Sequence, residues 1–263
     1  MRLTSSLVSG PGAVRSLNQD NFYLNGLYNS SITLETQLIV KQWAGDNEGL
    51  FAVADGMGGE KHGELAALIT VSSLDQLDRG RGAEGAIDYL NDRNRDICTL
   101  IQQNGGARSG STFVGLNIHG GMAEIVNIGD SRAYLLRKGA LSQLSVDHTA
   151  IRPMVEIGIL SAEKARRHPD RHKLSQHLGI FPEEMLIEPY STACELRDGD
   201  LFLLCSDGLY DMLGDSAILH ILQSQRDLKQ AAVSLYDAAM AEGGKDNTTI
   251  LLVHVQAARE ERG

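Results

Sequence analysis

Short apolar runs alternate with polar, glycine-marked breaks along this chain, and their spacing predicts its elements. Residues 3–9 alternate weakly and predict a first strand, closed by Gly10-Pro11-Gly12. Phe22-Tyr23-Leu24 predicts a second strand. Residues 28–48 predict a hairpin with a polar tip, with Gly45-Asp46-Asn47 marking a turn. Residues 50–54 are apolar throughout, as in a strand buried on both faces. From Glu64 to Leu77 the spacing of Leu65, Leu68, Ile69, Leu74 and Leu77 predicts a helix. Gly80-Arg81-Gly82 breaks it, and Ile87, Leu90, Ile97 and Ile101 stripe a second helix over 83–103.

A strand meander follows: 111–118, 123–128 and 132–137, joined at Gly120-Gly121, Gly129-Asp130-Ser131 and Lys138-Gly139. Residues 147–181 are polar and rich in Arg and His, without strand alternation. Short helices over 151–157 and 161–167 fit them best, in a surface flap. Strands over 187–196 and 200–205, helices up to 241 and a last strand over 248–255 complete the chain. The order is strands, two helices, strands, helices, strand, and does not alternate βαβ. That favours an α+β arrangement of two antiparallel sheets packed together with helices outside, and the 263 residues are long for one domain and short for two.

Composition narrows the partners. The net charge of −10 disfavours nucleic acid, which needs clustered Lys and Arg. The three cysteines, Cys98, Cys194 and Cys205, are far apart and form no CxxC, so they are expected as buried thiols in a reducing compartment. The start Met1-Arg2-Leu3-Thr4 lacks a signal-peptide core, and no run approaches the ~18 apolar residues of a membrane span. A cytoplasmic protein without a membrane partner is the expectation.

The excess carboxylates recur at strand ends. Asp55 ends Phe51-Ala52-Val53-Ala54, Asp130 follows Ile125-Val126-Asn127-Ile128-Gly129, and Asp207 follows an apolar strand and Ser206. Asp246 precedes the last strand, Asp20 opens the second, and Asp211 lies one helical turn past Asp207. Each taken singly reads as a turn or cap residue. Together, if the sheets align, they meet at one edge, repel, and call for a divalent cation. Hard oxygen donors without His or Cys at metal spacing select Mg²⁺ or Mn²⁺ over Zn²⁺. Arg15 adds a guanidinium suited to phosphate. Two nucleotide motifs fail: Glu64 stands where a P-loop needs Lys, and Lys61 where a dinucleotide loop needs its third Gly.

The segments VRSLNQD (14–20), VADGMGG (53–59), GST (110–112), NIGDSRAYLLRKG (127–139), DHT (147–149), CSDGLYD (205–211) and KDNTT (245–249) come in one order across nearly the whole chain. In this the chain resembles the metal-dependent protein phosphatase (PPM, type 2C) family, in particular its compact bacterial serine/threonine phosphatases. The resemblance implies a single domain over 1–263, a four-layer αββα sandwich with a flap over 147–181 and two or three Mn²⁺ or Mg²⁺ ions. It implies Asp55 as the bridging carboxylate, Gly56 as a carbonyl ligand, and Asp207 and Asp246 as ligands of the first metal. It places Asp20 near the second metal, Asp130 and Asp211 with Asp207 at an additional site, and Arg15 on substrate phosphate. The activity implied is hydrolysis of phosphoserine and phosphothreonine by a metal-bridging hydroxide, on phosphorylated proteins that include a serine/threonine kinase and its substrates.

The chain also departs from the family. Gln19 stands where animal members carry a glutamate ligand, and Met57 where they carry a histidine proposed as general acid. His62 is the nearby proton-donor candidate. The flap reads RHKLSQHLG in place of RNxITRALG. Two other readings stay open: a phosphatase-fold binding protein with weak catalysis, and a phosphatase dedicated to one regulatory protein.

Overall fold

The computed structural model describes residues 1–31, 38–57, 62–165 and 167–257. Its strands are β1 (Arg2–Gly10), β2 (Asn21–Leu24), β3 (Ile39–Asp46), β4 (Gly49–Ala54), β5 (Gly56–Met57), β6 (Gly110–Ser111), β7 (Phe113–His119), β8 (Met122–Ile128), β9 (Arg132–Arg137), β10 (Ala140–Gln143), β11 (Tyr190–Glu195), β12 (Leu201–Cys205) and β13 (Thr248–Gln256). Among the described residues they form a six-stranded sheet, β10-β9-β12-β13-β1-β3, and a five-stranded sheet, β11-β8-β7-β4-β2, with β5 and β6 paired beside them. Every pairing is antiparallel.

The two sheets pack face to face, and the side-chain period of two explains the layers. On β13, Leu251, Val253 and Val255 face the inter-sheet core with Leu3, Leu7, Phe51, Leu116, Ile125 and Phe202. Ile250 and Leu252 face the other way, onto α5 (Asp207–Tyr210), α6 (Asp215–Ser224) and α7 (Leu228–Ala241). The five-stranded sheet buries Ala52, Ala54, Val126 and Ile128 under α1 (Gly63–Val71) and α2 (Gly82–Gln103). Covered on both faces, the central strands read as continuous apolar runs. Each fully buried Leu, Ile or Val contributes roughly 1.5–3 kcal/mol. This is the expected αββα sandwich.

Several local readings are corrected. The hairpin over 28–48 does not form among the described residues, and its tip at 32–37 lies outside them. β3 pairs instead with β1, Ser9 opposite Ile39 and Arg2 opposite Asp46, in the sheet that does not contain β2 or β4. The alternation of β3 marks a half-buried edge strand but does not name its partner. Trp43 settles the partner by packing edge-on against Phe51 across the core, 5.5 Å between ring centroids. The helix predicted over 64–77 stops at Val71, where Ser72-Ser73 intervenes, and resumes as a single 3₁₀ turn at Leu74–Gln76. β10 escapes the periodicity, yet Lys138 and Gly139 have φ of 52° and 83°, the primed turn that closes a two-residue hairpin. Cys98 and Cys205 are buried as expected, whereas Cys194 is half-exposed.

The segment after β10 holds two short helices, α3 (Arg152–Glu156) and α4 (Ala162–Ala165). Ser161 starts the second by accepting from the Lys164 amide at 3.3 Å. No helix among the described residues is long and apolar enough to cross a membrane.

Candidate metal centre

The strand ends bring the predicted aspartates to one place. Asp55 follows β4, Asp130 comes after β8, Asp207 opens α5 one residue past the end of β12, and Asp246 precedes β13. Adjacent antiparallel strands place alternate termini on the same edge, so these termini converge from both sheets. They line a cleft of about 410 Å³ together with Arg15, Gln19, Gly56 and Met57. Asp20 lies behind this cleft, 5% exposed.

Neutral polar side chains fasten the loops. The Thr112 hydroxyl accepts from the Asp55 amide at 3.0 Å, the Thr112 amide donates to the Asp55 carbonyl at 2.9 Å, and the same hydroxyl meets Ser131 Oγ at 2.7 Å. Asn247 accepts from the Gln19 amide at 2.8 Å and donates to the carbonyls of Pro11 at 3.1 Å and Leu17 at 2.6 Å. That staples the Arg15 loop to the Asp246 loop. A Cβ at Gly208 would overlap the Asn247 carbonyl, and one at Gly56 would overlap the Gly63 carbonyl. Both glycines stand where backbones must approach closely.

The electrostatics are those of an uncompensated acid cluster. Burial, then Asp20, Asp207, Asp130 and Asp246, pushes the Asp55 carboxyl well above its ordinary range. Burial and then Asp207 raise Asp130 to about 8. Asp207 is raised by burial, against a hydrogen bond from His172 that lowers it. Asp20 is raised to about 7, mainly by burial, although its Oδ2 accepts from Ser206 and Thr249, both at 2.7 Å. Its Oδ1 is buried with no hydrogen-bond partner. Arg15, 55% exposed, reaches Asp246 Oδ2 at 2.7 Å from the mouth of the cleft.

Other functional groups carried no clear signal in the sequence. His172 descends from the 147–181 segment onto the acids, and hydrogen bonds to Asp207 and then Asp211 raise its pKa to about 10. Arg132 holds Asp147 through three contacts of 2.6–3.1 Å and lies 3.6 Å over the Tyr210 ring, whose hydroxyl donates to the Asp130 carbonyl at 3.0 Å. The Arg- and His-rich composition of the flap was the available hint for His172. His62 sits at the N-cap of α1 with φ of 71°, outside the lining of the cleft, whereas His172 and His177 line it. Asp211 stands beside the cleft, held by His172 and Arg171.

The residues present fit divalent ions. The donors are carboxylates plus the Gly56 carbonyl, hard oxygens suited to Mg²⁺ and Mn²⁺. Raised pKa values and an orphaned buried oxygen are what a donor set shows before a cation compensates it.

Residues 39–242 match the family model for protein phosphatase 2C. The chain belongs to that family. It is 34% identical over 211 residues to the serine/threonine protein phosphatase PstP of Mycobacterium tuberculosis, across 78% of this chain but 40% of that protein. The chain thus aligns with less than half the length of that relative. It is 32% identical over 257 residues to the protein phosphatase PhpP of Streptococcus pneumoniae, covering 94% of this chain and 96% of PhpP. The crystal structure of the PstP phosphatase superposes with a TM-score of 0.82 at 30% identity, over 98% of this chain and 100% of that one. The PstP catalytic domain solved with 2 manganese ions gives a TM-score of 0.79 at 29% identity, over 98% of this chain and 100% of that chain.

Proposed function

We propose that this chain is a metal-dependent phosphatase that hydrolyses phosphoserine and phosphothreonine in proteins, a serine/threonine kinase and its substrates among them. The observation that carries the reading is one cleft in which Asp55, Asp130, Asp207 and Asp246 converge beside Arg15, three of the four with raised pKa values. Asp55, the Gly56 carbonyl, Asp207 and Asp246 would hold two Mn²⁺ or Mg²⁺ ions, with Asp20 supporting them from behind. Bound there, the ions supply an activated water and neutralise phosphoryl charge.

The chain's own groups do the rest. Arg15 stands at the cleft mouth, where its fork can take two phosphoryl oxygens. Asn247 fixes the Arg15 loop against Asp246, so that the cationic and anionic halves of the site keep one spacing. Thr112 and Ser131 tie the Asp55 and Asp130 termini together, which limits reorganisation as charge develops.

Asp207→Ala and Asp246→Ala should each lower Mn²⁺-dependent hydrolysis of an aryl phosphate by roughly 100-fold or more in kcat/KM. Retention of full activity in either variant would overturn the assignment.

A further inference from the structure

His172 brings an imidazole from the 147–181 segment onto two of the acids. Its Nε2 lies 3.0 Å from Asp211 Oδ2, and its Nδ1 faces Asp207 Oδ2 at 3.5 Å. One ligand atom each from Asp130, His172 and Asp207 falls within 4.8 Å of the others. Asp130 is 5% exposed and lines the cleft, yet its carboxylate makes no hydrogen bond or ion pair among the described residues. A buried carboxylate aimed into a cleft without a partner is poised to receive a cation.

We propose that His172 is a nitrogen ligand of a divalent ion shared with Asp130 and Asp207, with Asp211 orienting the imidazole. The arrangement suits a carboxylate–histidine–metal relay: Asp211 accepts from Nε2–H, and a cation would displace the proton that Nδ1 turns toward Asp207 and take the lone pair so freed. Asp211 then acts by positioning the ring, not by ligation. Because His172 belongs to the 147–181 segment and the two aspartates stand just past the ends of β8 and β12, the ion would pin that segment over the cleft. A nitrogen donor among carboxylates also shifts preference toward Mn²⁺ and later first-row ions over Mg²⁺. The inference rests on the metal-dependent reading above.

The test uses the full chain loaded with Mn²⁺, read by electron spin-echo modulation for directly bonded ¹⁴N and by equilibrium dialysis for affinity. Wild type should show imidazole ¹⁴N coupling. His172→Asn should lose the coupling and weaken one class of Mn²⁺ by roughly tenfold or more, with the remaining Mn²⁺ bound as before. The Mn²⁺-over-Mg²⁺ preference of that class should fall with it. His177→Asn, which alters the other cleft-lining imidazole, should leave the coupling intact. Bound Mn²⁺ without ¹⁴N coupling in wild type overturns the inference, whatever the variants do. So does coupling that survives His172→Asn and disappears in His177→Asn. No Mn²⁺ binding at all overturns the metal-dependent reading together with this one, and dialysis alone distinguishes that case.

Discussion

Asp20→Asn separates stability from metal binding. One Asp20 oxygen accepts from Ser206 and Thr249, and the other is buried without a partner. Burial, set against those two hydrogen bonds, raises the carboxyl from 3.8 to about 7. A carboxyl whose folded pKa lies above its unfolded value contributes stability that is complete below about pH 4 and is lost as pH rises through about 7. The asparagine keeps an acceptor for both hydroxyls and never ionises, so it escapes that loss. Between about pH 5 and about pH 8.5, linkage from a shift of this size comes to roughly 2.7 kcal/mol, and on the order of 2 kcal/mol once coupling to the neighbouring acids is allowed for. For a chain of this length that is a relative gain in Tm of roughly 4–8 °C. The assay is thermal unfolding of chelator-treated protein, wild type against variant, at both pH values. Saturating Mn²⁺ should then narrow the difference at the higher pH. Wild type gains about 2.7 kcal/mol at 100-fold excess over Kd, and the variant, its supporting charge removed, gains less. The reasoning fails if the metal-free variant's advantage is no larger at the higher pH than at the lower.

Two further outcomes follow from the same geometry. Asp130 and Asp20, raised to about 8 and about 7, hold protons near neutrality that a cation must displace, so Mn²⁺ affinity should fall as pH drops from the higher value through the lower. Calorimetry in two buffers of different ionisation enthalpy should register the released protons, and equal heats would refute it. Asn247→Ala orphans the Gln19 amide and the Pro11 and Leu17 carbonyls, for roughly 2–4 kcal/mol of stability. Because the Arg15 loop loosens while the carboxylates stay, KM should rise more than kcat falls, and an unchanged KM would count against the staple.

The fold was legible where burial on one or both faces writes itself into the chain. Residues 50–54 and 248–255 read as central strands because both of their faces are covered, and α2 because its stripe is continuous. The pairing of β3 is not legible because its partner, β1, lies far away in the sequence, and local alternation is the same whichever strand it joins. The aspartates were legible as a set because each stands where an apolar strand leaves the core. Asp20's second oxygen and the Arg132–Asp147–Tyr210 network were not, since a buried hydrogen-bond network leaves no periodic trace. His172 lay in a polar segment whose composition suggests a surface and says nothing of which side chain turns inward.

What holds the cluster together before any cation arrives is the pattern of its hydrogen bonds. Asp20, Asp207 and Asp246 take side-chain partners, but Asp55 and Asp130 are fastened through their backbones alone among the described residues. Asp55 is gripped at its amide and carbonyl by Thr112, Asp130 at its carbonyl by the Tyr210 hydroxyl, and Asp246 at its carbonyl by the Thr248 hydroxyl at 3.2 Å. The preceding Gly129 is tied to His148 in both directions, its amide to Nδ1 at 3.1 Å and its carbonyl to the His148 amide at 2.9 Å. At Asp55 and Asp130 the backbone hooks fix the position of the acid and leave its carboxyl oxygens without a hydrogen-bond partner among the described residues. The consequence is a set of unneutralised groups that lowers the stability of the ion-free chain at neutral pH, and that same deficit is what a bound cation recovers.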